Sequence, residues 1–84
     1  MLKRLTDERR KLVEENLNLV DFALHTYCDR NDYEDLYGAG CLGLCRAAAK
    51  WEAALPFEDL ALIYIADEIK AYLNTQLLVN NLVM

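Results

Sequence analysis

The sequence predicts an all-α fold, a small bundle of three to four helices. Three observations carry that expectation. Apolar residues recur at helical intervals of three and four, no segment alternates polar and apolar as a half-buried strand would, and 84 residues contain a single Pro. At 84 residues with 55% hydrophobic content, the chain suits one domain spanning 1–84, whose core is marginal unless helices pack closely or a partner covers a face.

The first helix is expected to start near Thr6 or Asp7, either of which accepts a hydrogen bond from a free backbone N–H, and to run to about Cys28. Val13, Leu17, Val20, Leu24 and Tyr27 form its core-facing stripe. Asp29-Arg30-Asn31-Asp32 reads as a turn, with Asp32 capping a second helix from Tyr33 to about Ala53. Glu34 and Asp35 suit the positive first turn of that helix. Leu55-Pro56-Phe57 ends the periodicity, because Pro56 disfavours a helical Leu55 and donates no backbone hydrogen bond. A third helix, capped within Phe57 to Asp59, carries Leu60, Ile63, Ile65, Ile69 and Tyr72 and continues to at least Leu73. Trp51 and Phe57 are expected to lock the junction before it. The apolar residues Leu77, Leu78, Val79, Leu82, Val83 and Met84 make a free solvated tail unfavourable. Such a tail packs back, binds a partner, or marks a cut in a longer protein.

Gly38, Gly40 and Gly43 lie within the second helix, where each costs roughly 1 kcal/mol relative to alanine. Something is therefore expected to approach that backbone closely. Gly40 and Gly43 either let another helix cross inside the fold or face a partner, and the sequence leaves both readings open.

Net charge is −5, unevenly placed: residues 1–11 hold Lys3, Arg4, Arg9, Arg10 and Lys11 against Asp7 and Glu8, giving +3 and leaving −8 for residues 12–84. An acidic body is a poor platform for nucleic acid, because neutralising phosphates with Lys and Arg supplies most non-specific affinity. Three cysteines without an N-terminal apolar signal segment favour a reducing, cytoplasmic setting. No apolar run approaches the roughly 20 residues that span a membrane.

His25, Cys28, Cys41 and Cys45 offer four potential zinc ligands, since residues three and four apart share a helix face. Buried free thiols and a structural His25 are the preferred reading, with no metal and no cofactor expected. One His, no phosphate-cradling loop and no signature carboxylate pair argue against an enzyme.

The stretch Y-E-D-L-Y-G-A-G-C-L-G-L-C-R-A-A-A-K, with its D-L-x-x-x-G-x-x-G-L-x-x-A pattern, resembles the second helix of region 2 of bacterial RNA polymerase sigma factors. The resemblance covers about residues 9–73 and is nearest to sporulation-type and alternative members. Asn16, Leu17, Leu19 and Val20 match in the first helix. Asp35, Leu36, Gly40, Cys41, Leu42, Gly43, Leu44, Ala47 and Lys50 match in the second, with Trp51 at a place usually held by Phe. Phe57, Ala61, Ile65, Glu68, Ile69, Tyr72 and Leu73 fit in spacing in the third.

The resemblance implies that the second helix lies against the clamp helices of the polymerase largest subunit. Asp35, Gly38, Cys41, Leu42 and Arg46 are the expected polymerase-binding surface. It implies also that the third helix opens the promoter −10 element, with Tyr64, Lys70 and Tyr72 as its DNA-binding residues. The chain departs from the family there: Gly38 and Ala39 replace polar or larger residues, and Glu58, Asp59, Asp67 and Glu68 crowd what would be the DNA face against Lys70. Weak or absent promoter contacts follow. The leading expectation is a sigma-like domain in transcription initiation or its regulation. The alternatives are a stand-alone interaction module that self-associates through residues 77–84, and a fragment of a full sigma factor.

Overall fold

A computed structural model describes residues 5–27 and 33–83, with the side chains of 27, 76 and 79–83 outside the description. Four helices follow in order: α1 (Asp7–Glu15), α2 (Leu17–Tyr27), α3 (Tyr33–Lys50) and α4 (Phe57–Val83). No strand occurs among the described residues, and the all-α expectation of a three- to four-helix bundle is met.

Thr6 caps α1, its hydroxyl accepting from the Arg9 N–H at 3.3 Å and its carbonyl from the Arg10 N–H at 2.8 Å. The expected single first helix is instead two, broken at Asn16. The Asn16 side-chain amide donates to the Leu12 carbonyl at 2.8 Å, the acceptor that a continuous helix would reserve for the Asn16 backbone N–H. That N–H turns to Val13 O at 3.1 Å, and α2 restarts with Leu19 N–H on Asn16 O at 3.0 Å. Local side-chain competition overrides the apolar stripe, which nonetheless lands as expected: Val20 and Leu24 are buried, Val13 and Leu17 pack against the core. The predicted turn at 29–32, the Asp32 cap and Cys28 lie outside the described residues.

α3 ends at Lys50, three residues before the expected Ala53. Arg9 of α1 helps to close it, donating a guanidinium N–H to the Ala48 carbonyl, one of the last four carbonyls that lack an intrahelical partner. The junction to α4 is fastened as expected. Trp51 and Phe57 meet edge to face at 5.9 Å, and the Trp51 indole N–H donates to Leu55 O at 2.8 Å. α4 begins at Phe57, directly after Pro56, and continues to Val83, so the apolar C-terminal stretch is helical.

The core lies where α2, α3 and α4 meet, built from Val20, Leu24, Leu36, Leu44, Ala47, Ala48, Phe57, Ala61, Ile65 and Ile69. The glycines divide into two jobs. At Gly43 an added Cβ would stand 2.5 Å from Tyr64 O and 2.7 Å from Ile65 Cα, so this glycine lets the α3 and α4 backbones cross closely. At Gly40 it would stand 2.6 Å from Val20 Cγ1, which seats α2 against α3. At Gly38 it would meet nothing within 4 Å. Of the two readings left open for Gly40 and Gly43, internal crossing is the one realised.

Candidate functional site

α3 and α4 lie alongside each other and leave a groove on their outer side, lined by Asp35, Gly38, Ala39 and Leu42 from α3 and by Glu68, Ala71, Tyr72 and Thr75 from α4, with a volume of about 470 Å³. Asp35, Gly38, Leu42 and Arg46 are spaced three, four and four residues apart, so they share one exposed face of α3. Gly38 carries no side chain into the groove, which keeps its floor low. Leu42 is 41% exposed, a large apolar side chain held out of the core on one wall. Asp35 places a carboxylate in the lining, and Arg46 pairs across to Glu68 on α4.

The structure thus brings together four of the five residues expected to bind polymerase. Cys41 does not join them. It is half-buried against the core, packed beside Tyr37 whose hydroxyl reaches its thiol by hydrogen bond. Glu68, expected to face DNA, instead turns toward α3 and holds Arg46. Of the three expected DNA-binding residues, Tyr64 and Tyr72 pack against the core and Tyr72 also lines the groove, while Lys70 is exposed. Lys70 stands roughly 160° around α4 from Tyr72 at 100° per residue, so the three do not form one surface. The α4 wall of the groove was missed by sequence reasoning. Its signal is the Glu68, Ala71, Tyr72, Thr75 spacing, a helical stripe on the same side as the core residue Ile65, of which Tyr72 was read as core and DNA-binding and Glu68 as DNA-facing.

Neighbouring the groove, Tyr33 stacks on Tyr37 with ring centroids 6.1 Å apart, and the Tyr33 hydroxyl donates to Asp21 Oδ1 at 2.5 Å, tying the start of α3 to α2. His25 is exposed in the last turn of α2. Among the described residues no three His, Cys, Asp or Glu side chains converge as a metal cluster, and Cys28 lies outside them.

Burial pushes the Cys41 thiol above its ordinary pKa, with Cys45 and Asp21 adding to the rise and the Tyr37 hydroxyl opposing it; burial alone does the same to Cys45. A raised thiol pKa means less thiolate at neutral pH. Alkylation of Cys41 and Cys45 by iodoacetamide at pH 7.5 is therefore expected to be several-fold slower in the folded chain than in urea, as read by peptide mass spectrometry. Stabilisation from the neutral thiols is complete below the ordinary thiol pKa and is lost as pH rises through the raised one.

The groove is walled by Gly38, Ala39, Leu42, Ala71, Tyr72 and Thr75, and the carboxylates of Asp35 and Glu68 lie in its lining. The chain is similar to the RNA polymerase sigma-G factor of Bacillus subtilis (strain 168), 32% identical over an alignment of 81 positions that covers 87% of this chain and 31% of that protein. The chain thus spans about a third of the length of that relative. This likeness supports a sigma-factor-like relationship. No protein-family model matches the chain, and no solved structure matches it. Among the described residues no helix is long and apolar enough to cross a membrane.

Proposed function

We propose that the chain is a sigma-factor-like domain that docks on RNA polymerase core through the outer face of α3 and acts in transcription initiation or its regulation. The observation that carries the reading is the exposed Asp35–Gly38–Leu42 wall of the groove, in a chain 32% identical to part of a sigma factor. Leu42 supplies an apolar anchor and Asp35 a charge for a basic side chain on the facing clamp helix. Arg46 is held by Glu68, so its role is to brace the groove at that end. Promoter DNA is at most a weak ligand in this reading: the acidic residues Glu58, Asp59 and Asp67 are all exposed on α4, the helix that carries Lys70.

The test is retention of purified polymerase core by the immobilised chain. Leu42→Glu and Asp35→Lys are expected to reduce retention at least tenfold, with Ile63→Ser, on another face of α4, as the unaffected control. Gly38→Ala sharpens the result. Its methyl enters open space, so helix propensity is expected to raise stability by about 0.5–1 kcal/mol in urea denaturation, while the filled groove floor weakens retention. Retention that ignores all three groove substitutions, or no retention at a salt concentration where a full sigma factor binds, would overturn the proposal.

A further inference from the structure

Gly38 is the glycine of α3 that packing within the bundle does not explain. Its φ is not positive, and a Cβ there would meet nothing within 4 Å, whereas Gly40 and Gly43 are held to glycine by Val20 and by the α4 main chain. A glycine inside a helix is costly relative to alanine. That cost has no return inside the bundle, and Gly38 lies exposed on the floor of the α3/α4 groove. Ala39 and Ala71 also line the groove, so its middle is low and apolar.

The two ends of the groove differ in charge. At one end Glu68 is neutralised by Arg46, and Leu42 stands exposed one turn before Arg46 on α3. At the other end Asp35 is exposed and has no ion pair among the described residues. Along α3 the groove therefore offers a free carboxylate, then a gap three residues on, then an apolar wall four residues beyond it. Seven residues of helix rise about 10 Å. A second helix lying in the groove presents its own side chains at the same intervals of three and four.

Resting on the docking reading above, we propose that the groove selects a helix with a basic side chain opposite Asp35, a large apolar side chain seated over Gly38 and a second apolar side chain against Leu42. Its pattern is basic-x-x-apolar-x-x-x-apolar, or the reverse. The central apolar side chain fills the volume that a side chain at residue 38 would take, which makes Gly38 a specificity-determining residue. Charge complementarity fixes the basic position, since an acidic side chain there would face Asp35 and be rejected.

Fluorescence anisotropy tests the proposal, with a labelled, end-capped, alanine-based peptide carrying Arg, Leu and Leu at positions i, i+3 and i+7, titrated with the full chain to about 1 mM. The peptide is expected to bind, and replacing its Arg by Glu or its central Leu by Ala is expected to weaken binding at least tenfold. Asp35→Lys is expected to reverse the charge preference, so that the variant binds the Glu peptide at least tenfold better than the Arg peptide. Gly38→Leu is expected to reverse the size preference, favouring the central-Ala peptide, with the helical circular dichroism spectrum retained and the urea midpoint not lowered. Each reversal pairs one change on the chain with one on the peptide, so a general loss of structure cannot imitate it. No binding of the Arg–Leu–Leu peptide, or binding that lacks either reversal, overturns the proposal. Polymerase retention separates the two readings. Retention abolished by Leu42→Glu without the peptide reversals defeats the helix pattern alone, whereas the reversals without polymerase retention uphold the pattern and defeat the polymerase reading.

Discussion

Gly43→Ala is expected to lower the stability of the bundle by up to about 2 kcal/mol. The added methyl would sit 2.5 Å from Tyr64 O, 2.7 Å from Ile65 Cα and 2.8 Å from the Tyr64 carbonyl carbon, all main-chain atoms of α4. No rotamer change removes them, so α3 and α4 must separate along their closest contact. Overpacking of this kind costs about 1–3 kcal/mol and occasionally more, against about 1 kcal/mol gained in helix propensity. Gly40→Ala offers the contrast. Its conflict is with Val20 Cγ1, a side-chain atom, so Val20→Ala in the same chain should relieve it and yield a non-additive cycle. No truncation at Tyr64 or Ile65 can rescue Gly43→Ala, since every residue there has the same main chain. Urea denaturation of the singles and doubles reads both outcomes. A Gly43→Ala chain as stable as the parent would show that the two helices are not in main-chain contact.

Ile65→Ala is expected to cost about 2–5 kcal/mol, the range for emptying a fully buried aliphatic site. Ile65 is 0% exposed and sits under both glycines, with its Cγ2 3.6 Å from where a Gly40 Cβ would be. Neither Gly40 nor Gly43 has a side chain that could collapse into the space. At about 0.05–0.15 kcal/mol per residue, an 84-residue chain has a total of about 4–13 kcal/mol. Ile65→Ala therefore removes a large share of it, whereas Ile65→Val should cost about 0.5–1.5 kcal/mol. A shifted urea midpoint with an unchanged slope is the expected signature.

The helices were legible where one physical rule dominates. Periodic burial fixed α3 and α4 and the Val13–Leu17–Val20–Leu24 stripe, and Pro56 fixed the start of α4. The break at Asn16 was not legible, because it turns on one amide choosing a backbone carbonyl, a local competition that apolar periodicity does not register. Asp35, Gly38 and Leu42, which line the α3 side of the groove, are grouped on one surface by the resemblance. The α4 wall was not legible, since Glu68 and Tyr72 belong to the site only through how α4 is set beside α3. Arg46 is grouped with Asp35, Gly38 and Leu42 by the resemblance and shares their face of α3, but its pairing with Glu68 is a fact of two helices and invisible in either alone. Cys41 was grouped with that surface by resemblance, yet the roughly 100° between it and Leu42 was enough to send it toward Tyr37.

α1 contributes no fully buried side chain, is separated from α2 by the Asn16 interruption, and is tethered at its far side by the hydrogen bond from Arg9 to Ala48 O. Lifting it away exposes Leu12 and Val13 but no fully buried side chain, so that opening is expected to cost less than global unfolding. In hydrogen exchange the α1 amides are expected to lose protection while those of α2, α3 and α4 are still closed. Arg9, Arg10 and Lys11 share α1 with Asp7, Glu8, Glu14 and Glu15, so both signs of charge would move together in such an opening.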